Sequence, residues 1–364
     1  MPMNTSATPV ATKRIAVIPG DGIGTEVTRE AVKVLKGATS AQPTQLEFAE
    51  FDWGAERYLR DGTTLPPEAV GMLRRDFDAI LFGAVGDPRV PSNKHAADIL
   101  LGLRAKLDLY VNLRPVELID AALTPLRDRG TNDVNFVVVR ENTEGLYVGM
   151  GGQFQRGTPH EVAVQEDVNT RRGVERIIRY AFDYAREHNL GRVCMSDKSN
   201  ALTYGHELWQ RVFSQVKVEY PEIESRHLYI DALVMEVVRD PGQFRVIVTC
   251  NLFGDILSDL GAQLAGGLGL APSGNIHPGR ISLFEPVHGS APTLAGRNLA
   301  NPAGAVLASA LMLDHLGLAG PAEAMRKAVQ TAVRAKHMTV DIGGTLGTRE
   351  AGDWLADFVT KNPA

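Results

Sequence analysis

Cysteine is nearly absent. The 364 residues hold two, Cys194 and Cys250, with no C-x-x-C pair, which excludes a disulfide scaffold and a zinc ribbon. Each lies in an apolar run, where a small buried thiol in a reducing compartment is expected. No hydrophobic run reaches the roughly 18 residues that cross a bilayer. The opening "MPMNTSATPVATK" lacks the apolar segment of a secretory signal and reads as a loose tail over residues 1–13. A cytoplasmic protein without membrane contact is the expectation. Basic charge is not in excess either: 38 Lys and Arg face 43 Asp and Glu, for a net charge of −5. That speaks against a nucleic-acid binder, and an anionic ligand would have to be held by locally placed arginines and lysines.

Two glycine motifs are missing as well. "GDGIG" (20–24) follows a strand-like run and opens a helical one, but Thr25 stands where a dinucleotide fingerprint needs its third glycine. No GK[ST] makes it a phosphate loop. The stretch reads as a tight strand-to-helix turn, and a typical Rossmann fold is not expected.

What is present is alternation. "RIAVIPGDG" (14–22) precedes "GTEVTREAVKVLKG" (24–37), whose Val27, Ala31, Val32, Val34 and Leu35 form a helical stripe. "FDAILFGAVG" (77–86) precedes "AADILLGLRAKLDLY" (96–110). "VNFVVVREN" (134–142) and "GRVCMSDK" (191–198) are buried-strand candidates flanking a helix over 170–189, with Val174, Ile177, Ile178, Ala181, Phe182 and Ala185 on one face. Strands alternating with helices give an α/β class with both sheet faces covered. The length suggests two domains. Asn301 and Pro302 are placed to start a helix over 300–318.

The chemistry concentrates in "NLFGDILSDLG" (251–261). Asp255 and Asp259 are four apart and share a helix face, with no basic residue nearby in sequence to answer them. At the end of the strand-like "FRVIVTC" (244–250) they would sit in the crevice of an α/β sheet. There two carboxylates require a positive partner, and a hard divalent cation suits oxygen ligands. Asp231, in the strand-like "LYIDAL" (228–233), is a third candidate. Arg104, Arg114 and Arg140 supply forks that match the carboxylates of a small diacid. Lys198 closes a strand and Tyr147 follows Arg140. Either could move a proton if nearby positive charge lowers its pKa.

Together these stretches resemble the metal-dependent β-decarboxylating dehydrogenases that act on isopropylmalate, isocitrate, homoisocitrate, and tartrate or D-malate. "NLFGDILSDLG" and "FEPVHGSAPTLAGRNLANP" (284–302) carry the likeness, which runs from "IPGDGIGTEV" to "DIGGTLGT". The resemblance implies an isopropylmalate dehydrogenase-like two-domain α/β fold with a mixed, largely parallel sheet. One domain would combine residues 14–112 with 272–364 on the coenzyme side, and the other would span 113–271. It also implies a homodimer with shared active sites. By position, Arg104, Arg114 and Arg140 would clamp the substrate, and Leu100 and Leu101 would form an apolar wall for its side group. Tyr147 and Lys198 would be the acid–base pair. Asp255 and Asp259, with Asp231 from a neighbouring subunit, would hold Mg²⁺ or Mn²⁺. His288, Gly289, Ser290, Ala291, Asn301 and Asn200 would bind the coenzyme. Relatives that use NAD carry an aspartate where this chain has Thr293, and users of NADP carry Lys-Tyr at 293–294. With neither present, NAD is expected because nothing cationic replaces the acid, and NADP is not excluded. Among substrates 3-isopropylmalate is expected first, as in leucine biosynthesis. Tartrate or D-malate comes second, a branch that residues 151–185 resemble, followed by homoisocitrate or isocitrate.

Overall fold

Runs of β-branched and aliphatic residues with both faces apolar make the sheet. The structure, a computed structural model, describes residues 11–363. Its strands are β1 Thr12–Gly20, β2 Gln45–Glu50, β3 Ala79–Ala84, β4 Val111–Glu117, β5 Asn135–Glu141, β6 Gly151–Phe154, β7 Val162–Gln165, β8 Arg192–Asp197, β9 Glu224–Tyr229, β10 Val246–Thr249, β11 Pro272–Ile276 and β12 Ser282–Pro286. Ten of them form one sheet in the order β2-β1-β3-β12-β11-β4-β5-β10-β8-β9. Six of its nine neighbouring pairs run parallel, and the antiparallel three surround β11 and β4 at the centre. Every residue of β3 and β10 is buried, as a sheet covered on both faces requires. This is the mixed, largely parallel α/β sheet expected, and its order is not that of a dinucleotide-binding Rossmann fold.

The helical stripes are as the periodicity predicts. The helix Ile23–Thr39 buries Val27, Ala31, Val34 and Leu35, while Val32 lies at the edge of the stripe and is only partly covered. The helix Arg171–Glu187 buries all six predicted residues, and the Thr170 hydroxyl accepts the Gly173 amide at its start. Both cysteines are buried and free, and burial pushes their thiols up, to about 11 for Cys194 and about 12 for Cys250. Among the described residues no helix is long and apolar enough to cross a membrane.

Several boundaries differ from expectation. β1 begins at Thr12, so the last two residues of the expected tail belong to the sheet, and residues 1–10 lie outside the described part. "LYIDAL" is not one strand: β9 ends at Tyr229 and Asp231 sits in the first turn of the helix Ile230–Arg239. The terminal helix starts at Ala303, whose amide donates to Asn301 Oδ1 at 3.0 Å. The expected division at 112/113 falls inside β4, and that at 271/272 falls at the first residue of β11.

Candidate active site

The carboxyl ends of β3, β5, β10 and β12 converge on a cleft of ≈ 260 Å³, and nine of the predicted residues line it: Leu100, Leu101, Arg104, Arg114, Arg140, Tyr147, Asp255, His288 and Gly289. β5 and β4 lie side by side, with Arg140 opposite Asn112 and Arg114 opposite Val138, and this brings two arginines from distant sequence together. The helix Asn251–Leu264 follows β10 directly and points Asp255 at them. Gly254 in its first turn lets the stem of Arg140 lie against the helix, because a Cβ there would fall 2.5 Å from Arg140 Cγ.

The carboxylate pair is answered within the chain, contrary to expectation. Arg140 Nη1 donates to Asp255 Oδ1 at 2.5 Å and Arg114 Nη1 at 3.2 Å; Arg114 also lies 3.7 Å from Asp259. Neighbourhood in sequence could not show this, because the partners are more than a hundred residues apart. Burial alone would raise Asp255, yet Arg140, Arg114 and the Tyr147 hydroxyl hold it below the usual carboxylate range. Asp259, half-exposed, goes the other way through desolvation.

Three guanidinium groups crowd the cleft. Arg104, Arg114 and Arg140 are at most 6% exposed, and burial with the neighbouring positive charges of Arg114 and Arg104 pushes Arg140 down to about 9. The Nε atoms of Arg104 and Arg114 are buried without a partner. So much desolvated positive charge in one place suits an anionic ligand.

Tyr147 donates to Asp255 Oδ2 at 2.8 Å, and its ring lies 5.2 Å from the Arg140 guanidinium. The nearby positive charge of Arg140 pulls its pKa down, as expected. Desolvation and the bond to Asp255 outweigh Arg140, and the hydroxyl is raised above its ordinary value.

Lys198, Asn200 and Asp231 do not line this cleft. Lys198 follows β8 and its Nζ donates to Asp231 Oδ1 at 2.6 Å, which lowers Asp231. Asn200 is exposed in the turn beyond. Among the described residues of one chain no three acidic, histidine or cysteine side chains gather as metal ligands. The carboxylate oxygens of Asp255 and Asp259 fit a hard cation chemically, but a full set needs donors from elsewhere.

In the loop after β12, His288 Nδ1 lies 3.0 Å from Gly289 O while Nε2 is buried without a partner, and desolvation lowers the pKa of the ring. The "GDGIG" turn supports this loop. The Ile23 amide donates to Ser290 O at 2.8 Å, and a Cβ at Gly22, with φ of 55°, would lie 2.1 Å from that oxygen. Ser290 is buried, and Ala291 takes a φ of 37°. Asn301 is committed internally to Ala303 and to Asp341, at 3.0 Å each.

Sequence reasoning left Glu285 without a role. It is buried beside the cleft, accepting from Arg104 at 2.9 Å and from Asn275 at 2.7 Å. A lone acid in an otherwise apolar strand was the available signal.

A match to the isocitrate/isopropylmalate dehydrogenase family spans residues 14–355. The chain is 49% identical over 354 residues to a 3-isopropylmalate dehydrogenase of Thermobifida fusca, covering 96% of this chain and 98% of that one. It is 47% identical to a 3-isopropylmalate dehydrogenase of Streptomyces coelicolor, covering 93% and 98%. Among solved structures, an isocitrate dehydrogenase from Methylococcus capsulatus superposes with a TM-score of 0.86 at 36% identity, covering 96% of this chain and 99% of that one. A β-decarboxylating dehydrogenase from Thermococcus kodakarensis gives 0.78 at 38% identity, covering 96% of each.

Proposed function

Because the chain belongs to the isocitrate/isopropylmalate dehydrogenase family, we propose that it oxidises and decarboxylates a 3-substituted malate. The first choice is 3-isopropylmalate, giving 2-oxo-4-methylpentanoate and CO₂ for leucine biosynthesis, with NAD and Mg²⁺ or Mn²⁺ as cofactors. The observation that carries this reading is the cleft itself: three buried arginines, an apolar wall of Leu100 and Leu101, Tyr147 and Asp255 share one ≈ 260 Å³ space. The relatives named above, 47–49% identical, are 3-isopropylmalate dehydrogenases.

In this reading Arg104, Arg114 and Arg140 hold the two carboxylates and fix the orientation of C2. Leu100 and Leu101 receive the alkyl group and exclude water. Asp255 and Asp259, with Asp231 of a second copy, would hold the cation. The cation would supply polarisation of the 2-oxygen, and the coenzyme would supply a hydride acceptor. Lys198 of a second copy takes the hydroxyl proton. Tyr147 returns a proton to C3 once CO₂ has left. The His288–Ala291 loop, with Asn301 and Asn200, would bind the coenzyme. Arg297 is drawn back toward the Thr293 carbonyl, at 3.4 Å, which supports NAD over a 2′-phosphorylated coenzyme.

A homodimer belongs to the proposal. The β6–β7 hairpin is exposed along its whole length and carries Phe154, Val162 and Val164, while Met235, Val238 and Ile256 stand out from the helices Ile230–Arg239 and Asn251–Leu264. These exposed apolar side chains support an interface on this face. The two-domain division at 112/113 and 271/272, with the cleft between the domains, is part of the same reading.

The test is a panel of 3-isopropylmalate, D-malate, tartrate, homoisocitrate and isocitrate, with each nicotinamide coenzyme and Mn²⁺, following reduced coenzyme and released CO₂. Fastest turnover is expected for 3-isopropylmalate with NAD. A clear preference for D-malate or tartrate would refute the substrate choice.

A further inference from the structure

His95 is fully buried at the start of the segment 94–106 that presents Leu100, Leu101 and Arg104 to the cleft. Its Nε2 lies 2.8 Å from Asp21 Oδ2, and its Nδ1 is buried without a partner. A carboxylate only accepts, so the imidazole Nε2 is the donor in this contact. Asp21, itself buried, also accepts the amides of Ala55 at 2.6 Å and Gly86 at 2.8 Å. One carboxylate thus ties together the turn after β1, the helix Ala55–Asp61, the chain beyond β3 and the segment over the cleft.

That segment needs an anchor. It begins after Ser92 and Asn93, both with φ of 54°, and has no side-chain cap. Residues Ala97–Leu101 form a π turn before regular helix resumes at Gly102. A π turn is a rare, locally unfavourable winding that neighbouring structure must hold. It sets the register in which Leu100 and Leu101 meet the cleft. At the far end Arg104 is tied to Glu285 at 2.9 Å; at the near end the tie is His95.

We propose that the Asp21–His95 contact is a latch holding the π turn in register, which makes His95 a positioning residue for the substituent on the substrate's C3. The inference rests on the reading of the cleft as a 3-alkylmalate site.

The test compares full-length wild type with His95→Leu and His95→Gln, whose side-chain amide nitrogen can reach the Nε2 position. Two readouts are used: hydrogen–deuterium exchange over 94–106, and kcat and KM for 3-isopropylmalate and D-malate. In His95→Leu, exchange over 94–106 is expected to rise about tenfold. The preference in kcat/KM for 3-isopropylmalate over D-malate falls by about fivefold, mainly through KM. His95→Gln restores most of both. Unchanged exchange and preference in His95→Leu overturn the latch, and so does a loss that His95→Gln fails to rescue. If His95→Leu does not fold, His95→Asn, which keeps a donor too short to reach Asp21, takes its place with the same expectations. Should the wild type turn over neither acid, the functional reading fails while the exchange comparison still judges the latch.

Discussion

Replacing Gly254 by alanine sets two opposed effects against each other. In a helix the change is ordinarily favourable by about 0.8–1.0 kcal/mol. Here the new methyl would lie 2.5 Å from Arg140 Cγ and 2.6 Å from its Cβ. The Cβ is fixed to the buried strand β5 and cannot swing away, so the helix or the strand must shift. Overpacking of that kind costs about 1–3 kcal/mol. The net change is a loss between roughly zero and 2 kcal/mol, read as a fall of a few degrees in Tm. Activity should suffer far more. Arg140 Nη1 reaches Asp255, and its Nε and Nη2 reach Asn251 Oδ1 at 3.0 and 2.7 Å, so any displacement moves the residue proposed to clamp the substrate. A misplacement of about 1 Å costs on the order of 10²-fold in rate. Gly71 is the control: a methyl there meets nothing within 4 Å, and Gly71→Ala should raise Tm slightly and leave turnover alone. Steady-state kinetics beside calorimetry decide the matter. Wild-type kcat/KM in Gly254→Ala would refute the reasoning.

Tyr147→Phe should lower kcat by about 10²–10⁴-fold, the usual worth of a positioned proton donor, with little change in Tm; near-normal turnover removes Tyr147 from its role. Co-expressing inactive Tyr147→Phe with inactive Lys198→Met should restore about a quarter of wild-type activity, since half of randomly mixed dimers carry one intact site; no recovery means that the sites are not shared. Chelation by EDTA should abolish turnover and Mn²⁺ should restore it, and activity that persists in EDTA rules out metal dependence. Asp255 is held below its ordinary 3.8, so its ion pairs contribute stability above that pH and lose it as pH falls through the lowered folded value. The Tm gap between wild type and Asp255→Asn should therefore be constant from neutrality to about pH 5 and narrow below about pH 4; a gap that widens in acid contradicts the assignment.

Much of this was legible because the fold repeats simple patterns. Strands buried on both faces appear as unbroken apolar runs, and the stripe on Arg171–Glu187 names its own buried face. The pairing of Asp255 with Asp259 follows from helical spacing alone. What the sequence hid depends on long-range approach. Arg114 and Arg140 answer Asp255 across 141 and 115 residues, a meeting set only by the β4–β5 register. The direction of the Tyr147 shift turns on how much burial outweighs Arg140, and spacing carries no such information. The π turn lies in a stretch whose composition is ordinary for a helix. "LYIDAL" is as apolar as a strand, and only the bend at Tyr229 divides it.

The order of strands also bears on how the polypeptide is made. β1, β2 and β3 are among the first segments to leave the ribosome, but β12, the sheet neighbour on the far side of β3, follows about two hundred residues later. The helix Ile23–Thr39 waits longer still, because its packing partner is Thr348–Lys361, with Gly37 against Val359 and Thr360. The span from β4 through β10, by contrast, forms half the sheet from consecutive chain. Nascent chains should consequently acquire protease resistance in their middle first, and the early strands, with the β3 edge open, need shielding by chaperones until translation nears its end.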